Sequence, residues 1–142
     1  MDKTFKRDLS ELQAIVADTD AFFAAHGIDA SIRMHVDLSI EELFVNMVKY
    51  NTGTRRDIRL QLAPSEGGVE VSLTDYDVDP FDPTRVPDVD VDAPLDQRVP
   101  NGLGLYLVSK MVDSIHYQYR DRQSRITFIK HADGNPAGDS HA

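Results

Sequence analysis

The segment EELFVNMVKY, residues 41–50, carries the two readings from which the rest of the chain is interpreted. Leu43, Phe44 and Met47, with Ile40 just before them, recur at helical spacing and form one apolar stripe. Glu42, Asn46 and Tyr50 fall off that stripe. Glu42 and Asn46 stand one helical turn apart, so a carboxylate and an amide leave the same face side by side. Asparagine inside a helix competes with the backbone for hydrogen bonds, which makes its presence there informative. Taken alone, the pair describes a solvated face. With a function, Asn46 is an oxygen ligand for Mg2+, and Glu42 accepts a proton from a hydroxyl or water held near that metal.

Working outward, this helix is expected over about residues 31–50. Upstream, Leu9, Leu12, Ile15, Val16, Phe22 and Phe23 predict a helix over 9–26 that Gly27 stops, with Thr4–Arg7 as a short edge strand. Downstream, Ile58, Leu60 and Leu62 alternate, Pro64–Gly68 reads as a turn, and Val69, Val71 and Leu73 resume the alternation, which predicts a β-hairpin. Residues 75–100 hold eight aspartates and five prolines without an apolar period, and read as a long loop of the kind that often serves as a lid. A helix over Gly102–Val112 follows, with Leu103, Leu107, Val108 and Met111 inward. Ile115, Tyr117 and Tyr119, a turn near Asp121–Ser124, then Ile126 and Phe128 make a second hairpin. The expected fold is α+β, a two-layer α/β sandwich whose mostly antiparallel sheet carries helices on one face. Residues 1–130 form one domain in this reading, and 131–142 a flexible polar tail.

Composition narrows the function. The chain has 142 residues, enough for one core that buries about two-thirds of its unfolded surface. It has no cysteine, which excludes disulfides, thiolate nucleophiles and zinc–thiolate sites. No run approaches the roughly 18 apolar residues of a membrane span, and no signal-like apolar stretch opens the chain, so the cytoplasm is expected. A net charge of −9 argues against direct nucleic-acid binding. A polyanionic ligand would have to be held by a divalent cation and backbone N–H groups.

Two further segments bear on such a ligand. In TDYDVDPFDP, residues 74–83, Asp75, Asp77 and Asp79 alternate. A calcium loop is excluded because Pro80 and Val86 stand where an EF-hand needs glycine and glutamate. What remains is a solvated acidic loop, or one aspartate at the strand end that hydrogen-bonds a nucleobase amino group. In NGLGLYLVSKMVD, residues 101–113, Gly102, Leu103 and Gly104 open a helix whose backbone N–H groups favour an anion. The spacing is neither that of a P-loop nor that of a dinucleotide fingerprint.

In this order, E-x-x-x-N, an aspartate-rich loop containing PFDP, and G-L-G-L-Y-L-V resemble the GHKL ATPase superfamily, with its Bergerat fold. Within it the chain is most similar to the anti-sigma-factor serine/threonine kinases of bacterial partner-switching systems, over about residues 4–130. The resemblance implies Glu42 as general base, Asn46 as Mg2+ ligand and Asp75 as the adenine-binding aspartate. Asp77 lies at the same nucleotide loop, and Gly102, Leu103, Gly104 and Leu105 match the phosphate-contacting turn. Implied cofactors are ATP and Mg2+. Implied partners are a STAS-domain antagonist, whose serine is phosphorylated, and a sigma factor that is sequestered; a homodimer is plausible by the same analogy. Asp77 stands where the family has the glycine of D-x-G, so a side chain there is expected to crowd the base. That substitution motivates the alternative of a partner-binding module that has lost turnover. A histidine autokinase is disfavoured, because His26, His35 and His116 lack a phospho-acceptor context.

Overall fold

The structure, a computed structural model, describes residues 1–80 and 100–132, and the side chains from residue 106 onward in the second span. Its elements in chain order are β1 (Asp2–Phe5), α1 (Leu12–His26), α2 (Arg33–Tyr50), β2 (Ile58–Ser65), β3 (Gly68–Tyr76), α3 (Pro100–Met111), β4 (Ser114–Arg120) and β5 (Gln123–His131). The five strands form one antiparallel sheet in the order β1-β2-β3-β5-β4.

One face of this sheet is apolar. Ile58, Leu60 and Leu62 of β2, Val69, Val71 and Leu73 of β3, and Ile126 and Phe128 of β5 are all buried in a single cluster with residues of the helices. The residues between them point the other way: on that face Ser72 and Thr127 share a hydroxyl–hydroxyl hydrogen bond of 2.9 Å. A period of two therefore makes one sheet face for the helices and one polar face, which gives two layers. From α2, Val36, Ile40, Leu43, Phe44 and Met47 enter the cluster, and from α1 Ile15, Phe22 and Phe23. The expected α2 stripe is thus the core stripe.

The helix ends follow local chemistry. Asp29 accepts the Ser31 N–H at 2.9 Å ahead of α2, and Gly27 closes α1 at a left-handed φ of 61°. Pro100 occupies the first residue of α3, two residues before the expected start, where its missing N–H costs nothing.

Several boundaries differ from expectation. Pro64 and Ser65 belong to β2, pairing with Val69 and Gly68, and the turn is only Glu66–Gly67. Proline is tolerated at that position because β1 pairs with β2 only as far as Gln61. Asp75 and Tyr76 belong to β3 and not to the following loop, and His131 ends β5 and not the tail. The second turn is the pair Asp121–Arg122, at φ 53° and 62°, the left-handed geometry that two-residue hairpins require. Val16 and Leu107 were expected inward and are 44% and 50% exposed; on each helix a neighbour, Ile15 or Val108, takes the core position. Residues 81–99 of the expected lid, the side chain of Leu103 and the tail beyond residue 132 lie outside the described residues.

Gly68 tests the register. A Cβ there would overlap the backbone carbonyl oxygen of Lys130 on the neighbouring strand. Gly68→Ala is expected to destabilise the domain by about 1–3 kcal/mol through overpacking against backbone, read as a lower denaturant midpoint at unchanged slope.

Candidate functional site

Asn46 lies off the apolar stripe but is almost completely buried. Its Nδ2 donates to the Glu42 carbonyl, one turn back, at 2.7 Å. That bond fixes the amide and leaves Oδ1 buried with no hydrogen-bond partner among the described residues. An unmet buried acceptor costs about 1–3 kcal/mol, so Oδ1 suits a donor or a cation. A hard oxygen held in place by its own helix is a suitable Mg2+ ligand. Among the described residues no group of three or more acidic or histidine side chains could hold a metal.

Glu42 sits half-buried on the same face. Burial raises its pKa above the ordinary 4.5, the neighbouring Glu41 adds to the rise, and Lys49 partly offsets it. Moving a carboxylate toward neutrality makes it a better proton acceptor near physiological pH.

Asp75, at the end of β3, is fully buried. Its Oδ1 forms an ion pair with the Arg7 guanidinium. Its Oδ2 accepts from Asn51 Nδ2 at 2.5 Å. Arg7 also donates to two backbone carbonyls: Nε to Arg56 at 2.9 Å and Nη1 to Met47 at 3.0 Å. The carboxylate is thus oriented and enclosed by the protein itself.

Asp77 has a left-handed φ of 59°, which suits the position where the resemblance expects glycine. Its carboxylate is tied to the β4–β5 turn. It accepts from Arg122 Nε at 2.9 Å, and Arg122 Nη1 reaches Asp79 at the same distance. The Val78 N–H donates to the Arg122 carbonyl at 3.0 Å, and the Tyr119 hydroxyl donates to the Val78 carbonyl at 2.8 Å. These bonds tie the segment leaving β3 to the β4–β5 turn. Between that segment and the end of α2 lies a cavity of about 430 Å³, lined by Tyr50, Asn51, Asp77, Pro80 and Arg122 among others. Tyr50 is one turn beyond Asn46 on α2, about 6 Å along the axis, so the Glu42–Asn46 face leads toward this cavity. The backbone of Gly102–Leu105 forms the opening turns of α3, which packs against α2.

The family model described as the histidine kinase-like ATPase domain matches residues 5–130. The chain belongs to that family. Among solved structures, the crystal structure of the RsbU and RsbW domains of Rv1364c from Mycobacterium tuberculosis aligns with a TM-score of 0.64 at 16% sequence identity. The alignment covers 92% of this chain and 32% of that one, so this chain spans about a third of its length. At that identity the likeness speaks for the fold. Among curated proteins none matches by sequence. No helix among the described residues is long and apolar enough to cross a membrane.

The structure brings Glu42 and Asn46 together on α2, and Asp75 and Asp77 within three residues at the end of β3. Sequence reasoning missed Arg7, Asn51 and Arg122. Their partners lie far away in sequence, and no spacing announces them. For a histidine kinase-like ATPase domain the Arg7–Asp75 pair is a stability element as much as a site element. Arg7→Ala leaves a buried carboxylate without its cation and is expected to cost about 3–5 kcal/mol, measured by chemical unfolding. Glu42 acts in the opposite direction. Its folded pKa is raised, so between 4.5 and that value the native state holds more protons than the unfolded chain, and stability falls as pH rises through the window. Glu42→Gln is therefore expected to raise the neutral-pH melting temperature and to remove that part of the pH dependence, checked by thermal unfolding from acid to neutral pH.

Proposed function

We propose that this ATPase-family domain is an ATP-dependent protein serine/threonine kinase and anti-sigma factor, phosphorylating a STAS-type antagonist and sequestering a sigma factor. The observation that carries the proposal is the unpartnered Oδ1 of Asn46 beside a carboxylate whose pKa is raised. A metal-binding oxygen and a proton acceptor on one helix face are what transfer to a hydroxyl needs. The similarity to an RsbW domain supports the partner-switching part of the reading.

Each residue has a defined task in this reading. Glu42 takes the proton of the incoming serine or threonine hydroxyl. Asn46 presents its Oδ1 for Mg2+. Asp75 and Asp77 mark the base end, and the backbone at Gly102, Leu103, Gly104 and Leu105 contacts phosphate. Bound ATP supplies the phosphoryl group, and Mg2+ neutralises its charge. The protein contributes positioning and one proton acceptor, consistent with the small amount of covalent chemistry such a transfer asks of side chains.

A partner-binding module without turnover is the second reading, and the enclosure of Asp75 by Arg7 and Asn51 favours it. Glu42→Gln decides between them when assayed with a purified STAS-domain substrate. On the kinase reading the variant loses phosphoryl transfer by about 100-fold or more while ATP affinity stays within a few-fold. Transfer at the wild-type rate excludes Glu42 as the base. No transfer and no ATP binding by the unaltered protein would leave the binding module.

A further inference from the structure

Among the described residues, the wall of the 430 Å³ cavity holds three charged side chains, Asp77, Asp79 and Arg122. Arg122 is the one cation of the three, and it bridges both carboxylates, through Nε to Asp77 and Nη1 to Asp79. Resting on the nucleotide-site reading above, we infer that Arg122 is the charge-compensating residue of this cavity. By pairing with Asp77 and Asp79 it lets a space with two carboxylates in its wall accept a polyanionic nucleotide.

Two observations carry this. The first is the charge count. Asp77 and Asp79 are both in contact with water, and carboxylates in water are anionic at neutral pH. Two aspartates against one arginine give the wall a net −1, which becomes −2 once Arg122 is removed. A ligand in a space of 430 Å³ lies within about a Debye length of every residue around it, so these charges act on it without touching it. A nucleoside triphosphate stays negative even with one Mg2+ bound, and the chain's net charge of −9 adds to the repulsion. The second observation is that the Arg122 side chain is not what holds this segment in place. The Val78 N–H donates to the Arg122 carbonyl at 3.0 Å, and the Tyr119 hydroxyl donates to the Val78 carbonyl at 2.8 Å. Neither bond uses the guanidinium. What the side chain adds is a positive charge, placed against the carboxylate that stands where the resemblance expects glycine.

Calorimetric titration of the full chain with Mg2+–ATP at low and high salt tests this. Arg122→Gln removes the charge, and Arg122→Lys keeps it without the two-carboxylate fork. A third variant combines Arg122→Gln with Asp77→Asn and Asp79→Asn; asparagine tolerates the left-handed φ of Asp77. Arg122→Gln is expected to weaken Mg2+–ATP by about fivefold at low salt, the scale of one wall charge acting on a dianion across the cavity. The gap should close to within about twofold at roughly 0.5 M salt, where screening is short-ranged. Arg122→Lys should stay within about twofold of the unaltered protein, and the combined variant should bind at least as tightly as it. A role in shape alone predicts a loss that persists at high salt, appears equally in Arg122→Lys, or is not recovered in the combined variant. Any of these overturns the inference, as does unchanged affinity in Arg122→Gln, and each leaves the nucleotide site standing. No binding of Mg2+–ATP by the unaltered protein overturns both.

Discussion

A buried carboxylate must be paired, and the pairing of Asp75 with Arg7 sets the frame for the rest of this molecule. Arg7 leaves the end of β1 and reaches three other segments at once: the last turn of α2 through the Met47 carbonyl, the entry to β2 through the Arg56 carbonyl, and the end of β3 through Asp75. Asn51 adds a second bond from just beyond α2 to the same carboxylate. The apolar cluster holds α2 against the sheet without specifying its exit. Charge-assisted hydrogen bonds are directional, so the Arg7–Asp75–Asn51 group specifies where α2 ends relative to β3.

Fixing that exit separates two kinds of polar group. Those at the end of β3 are satisfied within the protein: both oxygens of Asp75 are engaged, and Asp77 and Asp79 share Arg122. Those along α2 are not. Asn46 Oδ1 is buried and unmatched among the described residues, and Glu42 carries a raised pKa because its surroundings disfavour the charge. A fold does not retain such costs for stability, since hydrogen-bonded or apolar replacements would be cheaper. On the function proposed above, the unmet groups are where the chemistry would be placed, and the satisfied ones hold that place still. Among the described residues, Arg7 and Arg122 are both committed to carboxylates.

The periodic part of the structure was legible in the sequence because period reports burial directly. The stripe of α2, the two hairpins and the glycine stop after α1 follow from apolar spacing and one φ preference. The Glu42–Asn46 pair was legible for the same reason, as a spacing of four on a helix places two side chains together whatever else folds around them. Errors arose where a stripe had two candidates for one inward position, as at Val16 and Leu107, and where a proline at a half-covered strand read as a turn. Arg7, Asn51 and Arg122 were illegible for another reason. Asn51 meets its carboxylate 24 residues away and Arg122 meets Asp77 across 45, distances that only the sheet order closes. Charge pairing has no period, so nothing local in the sequence selects one arginine over another.

Asp77 shows how such a long-range contact can license a local departure. A left-handed φ at a non-glycine residue costs about 1–3 kcal/mol and persists only where the surroundings over-determine it. Here the surroundings are themselves unusual: Asp121 and Arg122 also have left-handed φ, in the turn that faces Asp77. The Arg122 side chain holds the Asp77 carboxylate, while its carbonyl receives the Val78 N–H. Both halves of the contact thus draw on the same residue, and the turn geometry that aims the carbonyl also aims the guanidinium. An aspartate where the resemblance expects glycine is therefore not an isolated change. It is coupled to an arginine at the β4–β5 turn, which holds the Asp77 carboxylate.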